Sequence, residues 1–244
     1  MRIINLSVVL PAFNEERRIE STLDEIHRFL QAQNSEFEIV LVDDGSTDNT
    51  VSIAESWGDE TDVIRIIKLP HKGKGFAVRE GMLRARGNLR IMCDVDMSMP
   101  VEYLERFVDK MSEGYDVVIG SREVEGAIII GEPFHRHMMG RIFNRYVRMM
   151  LINEFRDTQC GFKCFTDQAA DKLFRLQRVE GWGFDVEILI AARAQNMKVF
   201  EMPLEWHHDP DTKVRLFSST LEMIKDMMMI KFRSLMGKYK VGVR

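Results

Sequence analysis

Leu89-Arg-Ile-Met-Cys-Asp-Val-Asp96 is a short, largely apolar run that ends in two carboxylates, Asp94 and Asp96, at positions i and i+2. Side chains alternate along an extended chain, so these two carboxylates point to the same side of the strand's end. Such a pair can hold a hard divalent cation whose other positions are filled by water and phosphate oxygens. An ordinary strand that stops in a polar turn can look the same, so the surrounding sequence decides.

Working outward, Leu6–Leu10 reads as a buried strand stopped by Pro11, and Glu38–Val42 as a second that runs into Asp43-Asp44-Gly45-Ser46. Val63–Leu69 is a third, stopped by Pro70, and Asp116–Gly120 follows as a fifth. Helical spacing fills the gaps. Asn14 is placed to cap a helix from Glu15 to Gln31 whose apolar stripe is Ile19, Leu23, Ile26 and Leu30. Thr47 and Asp48 begin another, to Trp57; the loop His71–Gly75 opens one that reaches Arg86; Pro100 opens one to Met111. Strands apolar throughout, alternating with amphipathic helices, predict an α/β fold with a mostly parallel sheet flanked by helices. In such sheets the ligand crevice lies beyond the carboxyl ends of the strands. Pro11–Glu15, Asp43–Ser46, His71–Gly75 and Asp94–Ser98 all sit at such ends, so they are expected to meet at one site.

A chain of 244 residues, 45% hydrophobic and 30% charged, suits one large globular α/β domain. Its net charge of −4 makes no case for nucleic acid. Cys93, Cys160 and Cys164 cannot all pair and lack zinc-site spacing, which points to reduced thiols in a cytoplasmic setting. Met1–Asn5 leads straight into a strand, so no signal peptide is expected, and no run of about 18 apolar residues suggests a spanning helix. His207 and His208 read as loop histidines. Asp185 and Glu187 fall at the start of a helix from Phe184 to Gln195, where acids suit the helix dipole.

The crevice lacks the glycine pattern of a dinucleotide fold, because its first turn reads Pro11-Ala-Phe-Asn-Glu-Glu16. A P-loop is absent, and Lys72-Gly-Lys-Gly75 is too short to wrap phosphates alone. What remains is a set of acids (Glu15, Asp43, Asp44, Asp94, Asp96) with Lys74. Carboxylates suit ribose or base hydrogen bonds and a metal bridging a diphosphate, and Lys74 adds a cation for phosphate.

Pro11–Glu16, Asp43–Ser46, Lys72–Gly75, Asp94–Asp96 and Gly120-Ser-Arg122, in that order, resemble the motif set of family 2 glycosyltransferases, which have the GT-A fold. Asp157-Thr-Gln-Cys-Gly-Phe-Lys163 and Gly183-Phe-Asp-Val-Glu187 resemble the narrower group of polyprenyl-phosphate sugar synthases, and among them the glucosyl enzymes. The resemblance implies a nucleoside-diphosphate sugar donor. Pro11, Ala12, Phe13 and Glu15 would line the nucleoside pocket, with Asp43 and Asp44 near base or ribose. Asp94, Val95 and Asp96 would meet ribose, diphosphate and a Mg²⁺ or Mn²⁺ ion. The implied reaction is inverting transfer of a hexose, glucose favoured over a mannose from GDP-mannose, to polyprenyl (dolichyl or undecaprenyl) phosphate.

Chemistry separates that acceptor from a soluble hydroxyl, which needs a general base. A phosphate monoester is already largely dianionic at neutral pH and needs cations instead. Arg122, Arg136, Arg141 and Lys213 are the expected cations, with Asp157 orienting an arginine or the acceptor. Lys213 sits in Asp211-Thr-Lys-Val214, which departs at two positions from the family's Ser-Lys-Leu element. Between Pro133 and Ile152 there is no acid, and Arg141, Arg145 and Arg148 share one helical face. Residues 216–244 hold six bases and two acids on a second amphipathic stretch. Residues 1–215 are therefore expected to form the catalytic domain, and 216–244 a helix and tail lying on the cytoplasmic face of a membrane. A sugar nucleotidyltransferase is disfavoured by its missing glycine-rich loop. A nucleotide-binding protein without turnover is disfavoured by the presence of Asp94, Asp96 and Arg122.

Overall fold

The computed structural model describes residues 5–34, 36–131, 133–208 and 216–240, with backbone alone for 134–137, 139, 143 and 216–221. The first half runs β1 (Leu6–Ala12), α1 (Ile19–Ala32), β2 (Phe37–Asp43), α2 (Thr50–Gly58), β3 (Ile64–Lys68), α3 (Lys74–Arg84) and β4 (Leu89–Met92). Then come α4 (Tyr103–Ser112), β5 (Val117–Ser121), β6 (Ile128–Ile130), α5 (Phe134–Met150) and β7 (Lys163–Thr166). The last part is α6 (Asp167–Leu176), α7 (Phe184–Ala194), β8 (Val199–Pro203), β9 (Glu205–His207) and α8 (Leu216–Leu235).

Seven strands form one sheet in the order β3-β2-β1-β4-β7-β5-β8, and β6 pairs with β9 in a separate ribbon. Alternation divides the core between the two faces. Val8, Leu10, Ile39, Leu41 and Ile91 pack with Ile19, Leu23, Ile26, Leu104 and Phe107 of α1 and α4. Val9, Val40, Val42 and Met92 pack with α3, α6 and α7 on the other side. Each such buried aliphatic side chain stabilises the fold by about 1.5–3 kcal/mol. Leu6 pairs with Phe37 and Ala12 with Asp43, so β1 and β2 end level and deliver their following loops to one edge.

Several expectations need correction. Asn14 does not cap α1: it stands at φ 56°, left-handed backbone that cannot lie at a helix start of ordinary N-cap geometry. Its amide side chain instead accepts from Thr47 N at 2.8 Å, its own N–H donates to Ser46 Oγ, and Glu15 N donates to Thr50 Oγ1. These cross-loop bonds delay α1 to Ile19 and α2 to Thr50. The sheet is mostly parallel, as expected, with one antiparallel strand, β7, inserted between β4 and β5. That strand arises from Lys163–Thr166, whose four residues carry no period long enough to announce it.

The C-terminal stretch is joined to this core. Met227, Ile230 and Tyr239 are buried in the α7 side of the core, while Met228, Phe232 and Leu235 stay exposed. The three cysteines are free and buried, and burial pushes the Cys160 thiol up to about 12.

Candidate active site

The sheet brings the four predicted loops together at the carboxyl edge. Asp44 N donates to Ala12 O at 2.8 Å, which ties the loop after β2 to the end of β1. Beyond β1, the Phe13 ring stacks on His71 with centroids 4.1 Å apart. Glu15 pairs with Arg18 at 3.1 Å. Asp43 folds its carboxylate back on the turn, accepting from Gly45 N and Ser46 N. Asp44 is buried and accepts from Lys72 N and Gly73 N, each at 2.9 Å, and from the His71 ring at 2.8 Å. Its carboxylate thus shapes the loop that presents Lys74.

Gly73 and Gly75 flank Lys74 for steric reasons. Gly73 adopts φ 117°, and a Cβ on either would fall 2.8 Å from carbonyl oxygens of the 179–181 segment. The backbones can then approach closely, and Lys74 becomes the first residue of α3 with its ammonium paired to the Asp94 carboxylate. The same ammonium lies 5.3 Å from the centre of the Trp182 ring. Val95 is buried, and its carbonyl accepts from Thr22 Oγ1 of α1 at 2.7 Å, which holds the Asp94–Ser98 loop in place. Asp96 accepts from Ser98 N at 3.1 Å. Burial, and then the neighbouring Asp94 charge, push its carboxyl up to about 6.

Beneath this pair lies Gly161. Any Cβ there would overlap the Asp94 carboxylate. Lys163, only 1% exposed, reaches Asp185 and the Cys160 carbonyl. Burial raises the Asp185 carboxyl, opposed by Lys163 and Lys74. Asp94, Asp96 and Asp185 against Lys74 and Lys163 leave one negative charge in excess (three minus two). An excess of acid with two carboxyls, Asp96 and Asp185, pushed up fits a site built to take a cation. Among the described residues no three His, Cys, Asp or Glu side chains are placed to hold an ion alone. Two carboxylates with substrate phosphate completing the shell is a common arrangement for Mg²⁺.

The second charged centre is Arg122 with Asp157. The guanidinium forks onto the carboxylate, Nε to Oδ2 at 2.7 Å and Nη2 to Oδ1 at 3.1 Å, and lies 5.0 Å from the Trp206 ring centre. Burial alone would raise the Asp157 carboxyl, but Arg122 holds it below the usual range. Glu201 supports the pair from β8 by accepting from Asp157 N at 2.6 Å and Ser121 Oγ at 2.8 Å. Glu201 stands in no distinctive sequence pattern and was not singled out; Lys163 closes the Asp157–Lys163 motif but was given no role of its own there. Asp185 and Glu187, expected to serve the helix dipole, prove to be buried, Asp185 accepting from Lys163 and Glu187 from Tyr239 and the backbone N–H groups of Arg178 and Val179. His207 ends β9 rather than lying in a loop; its amide donates to Ser98 O at 2.7 Å and its ring meets Glu205. Arg136 lies on α5 with its side chain undescribed, and Lys213 falls outside the described residues. Arg141, exposed, pairs with Glu123 at 3.5 Å.

Comparison with known proteins agrees with this architecture. Residues 7–175 match the model of glycosyl transferase family 2. A dolichyl-phosphate beta-glucosyltransferase of Dictyostelium discoideum is 34% identical, over 98% of this chain and 77% of that one. The Saccharomyces cerevisiae protein of the same name is 35% identical over 97% and 77%. Glucosyl-3-phosphoglycerate synthase of Mycobacterium tuberculosis, in complex with phosphoglyceric acid, superposes with a TM-score of 0.72 at 21% identity, covering 94% of this chain and 80% of that one. The same synthase with Mn²⁺, uridine diphosphate and glucosyl-3-phosphoglycerate gives 0.65 at 20%, covering 98% and 81%. The structural likeness is one of fold, the GT-A arrangement expected from the motifs. The sequence matches go further, and by them the chain belongs to glycosyl transferase family 2.

Proposed function

We propose that this glycosyltransferase moves glucose from UDP-glucose to a dolichyl-type polyprenyl phosphate, with inversion, giving a β-linked lipid-phosphate sugar. The observation that carries the reading is the Asp94–Lys74 ion pair beside Asp96, set at the carboxyl edge of the sheet near the Arg122–Asp157 fork. The curated relatives' names support the choice of sugar and acceptor.

In this reading Pro11, Ala12, Phe13, Glu15, Asp43 and Asp44 form or brace the nucleoside side of the crevice. Asp94 and Asp96 would hold a divalent ion, Mg²⁺ or Mn²⁺, which when bound would supply positive charge for the departing diphosphate. Lys74, held beside them by its pair with Asp94, would donate to the same diphosphate oxygens. Arg122, pre-oriented by Asp157, grips the acceptor phosphate, with Arg136, Arg141 and Lys213 as further cations. An acceptor phosphate oxygen attacks the anomeric carbon in line as the bond to the diphosphate oxygen breaks. Because that oxygen is already ionised, no proton has to be removed from it.

The membrane side rests on α5 and α8. Ile142, Tyr146 and Met149 of α5 and Met228, Phe232 and Leu235 of α8 are exposed apolar side chains on helices rich in Arg and Lys. Such faces suit the interface of an anionic bilayer. No helix among the described residues is long and apolar enough to cross a membrane.

Purified protein should be given UDP-glucose or GDP-mannose, a polyprenyl phosphate in vesicles, and Mn²⁺, Mg²⁺ or chelator. Lipid-phosphate hexose, detected by mass spectrometry with UDP-glucose and metal alone, is the expected result. Equal turnover onto a soluble hydroxyl acceptor without lipid would reject the reading.

A further inference from the structure

Glu187 has no exposed surface and accepts four interactions from two separate parts of the chain. Its Oε2 takes the backbone N–H groups of Arg178 and Val179 at 2.8 and 2.7 Å. Its Oε1 takes the Tyr239 hydroxyl at 2.6 Å and lies 3.7 Å from Arg233 Nε. Arg233 in turn donates to Tyr239 Oη at 3.3 Å and covers its ring. The end of α8 and the turn after it are thus fastened to the 178–179 backbone through one carboxylate.

That backbone is what the Lys74 loop rests on. Phe76 N donates to Glu180 O at 3.0 Å, and Gln177 Nε2 bridges Gly75 O and Val179 O at 2.8 and 2.7 Å. The carbonyls of 179, 180 and 181 press on Gly75 so closely that any Cβ would collide with all three. Further along, Asp226 of α8 lies against Gly183, leaving no room for a Cβ there either. A continuous set of short contacts therefore runs from Tyr239 and Arg233 through Glu187, the 177–183 segment and Gly75 to Lys74 and Asp94.

We propose that Glu187, with Tyr239 and Arg233, is a positioning device that sets Lys74 for the donor diphosphate, so that α8 must be docked for the donor site to be complete. This rests on the donor role proposed above for Lys74. Buried carboxylates with several donors often only stabilise a fold, and packed charges separated by a few contacts couple when the backbone between them has no slack. Here the slack is removed by the glycine contacts at 73 and 75. The prediction centres on the diphosphate, because the contacts from Glu187 reach Lys74 at once through Gly75, whereas they reach the nucleoside loops only further on, through Gly73 and the Asp44 carboxylate.

The test is to measure UDP and uridine binding with Mn²⁺ by calorimetry, together with donor KM and kcat, in Tyr239→Phe, Glu187→Gln, Lys74→Ala and the Lys74→Ala/Tyr239→Phe double variant. Arg233→Gln, at a partly exposed side chain, is the second probe should a buried substitution fail to fold. The expected result is about tenfold weaker UDP binding in Tyr239→Phe with uridine binding unchanged, the scale of one lost charge-assisted hydrogen bond. The double variant should then be no weaker than Lys74→Ala, showing that both act through one group. Wild-type UDP affinity in folded Tyr239→Phe and Arg233→Gln, with Lys74→Ala impaired, overturns the positioning role and leaves the donor site standing. Unchanged UDP affinity in Lys74→Ala overturns both. Equal loss of UDP and uridine binding marks general loosening of the fold and overturns the proposal.

Discussion

Gly161 lies directly beneath Asp94, with the carboxylate occupying the space a side chain at 161 would need. The antiparallel strand β7 begins two residues later, so this contact joins the inserted strand to the loop after β4. It explains why a glycine is required in Cys160-Gly-Phe there without appeal to a turn. Gly161→Ala should displace the Asp94 carboxylate while leaving the core intact. Expected is a protein with a cooperative thermal transition but Mn²⁺ affinity lowered at least about tenfold, as for a lost metal ligand or its support. Calorimetric titration with Mn²⁺ and UDP would check it; unaltered metal affinity would count against the placement of the ion at Asp94.

Asp96→Asn removes half of the carboxylate pair and should reduce metal-dependent turnover by two or more orders of magnitude, roughly the scale of losing a preorganised charge at the leaving group. With Asp96 as a ligand, uptake of the ion in the unsubstituted protein would compete with a proton on its carboxyl. Mn²⁺ affinity should therefore rise as pH increases through about 6 and level off above it. A pH-independent affinity between pH 5 and 7 would exclude Asp96 as a ligand.

Arg122→Ala leaves the Asp157 carboxylate buried without its guanidinium. Breaking a buried pair from one side costs about 3–5 kcal/mol, so a large drop in melting temperature is expected. Arg122→Lys keeps a charge but not the fork, and should raise the KM for polyprenyl phosphate while leaving UDP affinity unchanged. A change confined to donor binding would contradict the acceptor role.

The same pair has a pH signature. Asp157 is held below its usual value in the folded state, so its contribution to stability is complete above the unfolded value of 3.8. It is lost as pH falls below that value, when the folded carboxylate must take up a proton. Asp157→Asn should flatten the fall in stability across this acid range, measured by denaturant unfolding from pH 5 to 2.5. The unsubstituted protein should lose more stability over the range than the variant.

Met149 and Leu235 are 79% and 80% exposed and touch little. Met149→Glu and Leu235→Glu should change stability by no more than about 0.5 kcal/mol, as surface substitutions do. Both should weaken sedimentation with anionic vesicles and lower turnover on lipid acceptor, with UDP binding unaffected. Vesicle binding equal to that of the unsubstituted protein would remove α5 and α8 as the lipid-facing elements.

The parallel half of the fold was legible because its strands are buried on both faces and its helices show a clear apolar stripe, as in Ile19, Leu23, Ile26 and Leu30. Loop positions at strand ends then placed Asp43, Lys74, Asp94 and Asp96 at one edge. Asn14 misled because a good capping residue is equally suited to left-handed backbone, and only the partner loop at Ser46–Thr50 decides between the two. β7 was invisible for a different reason: a four-residue strand has too few side chains to show a period, and its neighbours β4 and β5 are far away in sequence.

By itself, then, the sequence determined which segments must be buried and which acids and bases stand at strand ends, since hydrophobic period and local turn chemistry act over a few residues. Only the tertiary structure decided which charges meet. Asp94 faces Lys74, Arg122 faces Asp157 and Glu187 faces Tyr239 because the sheet order and the insertion of β7 bring distant segments together. Burial then makes the partners of Asp157 and Glu187 obligatory, since an unpaired charge in those places would be too costly to keep, whereas Asp94, 21% exposed, keeps a face to the crevice.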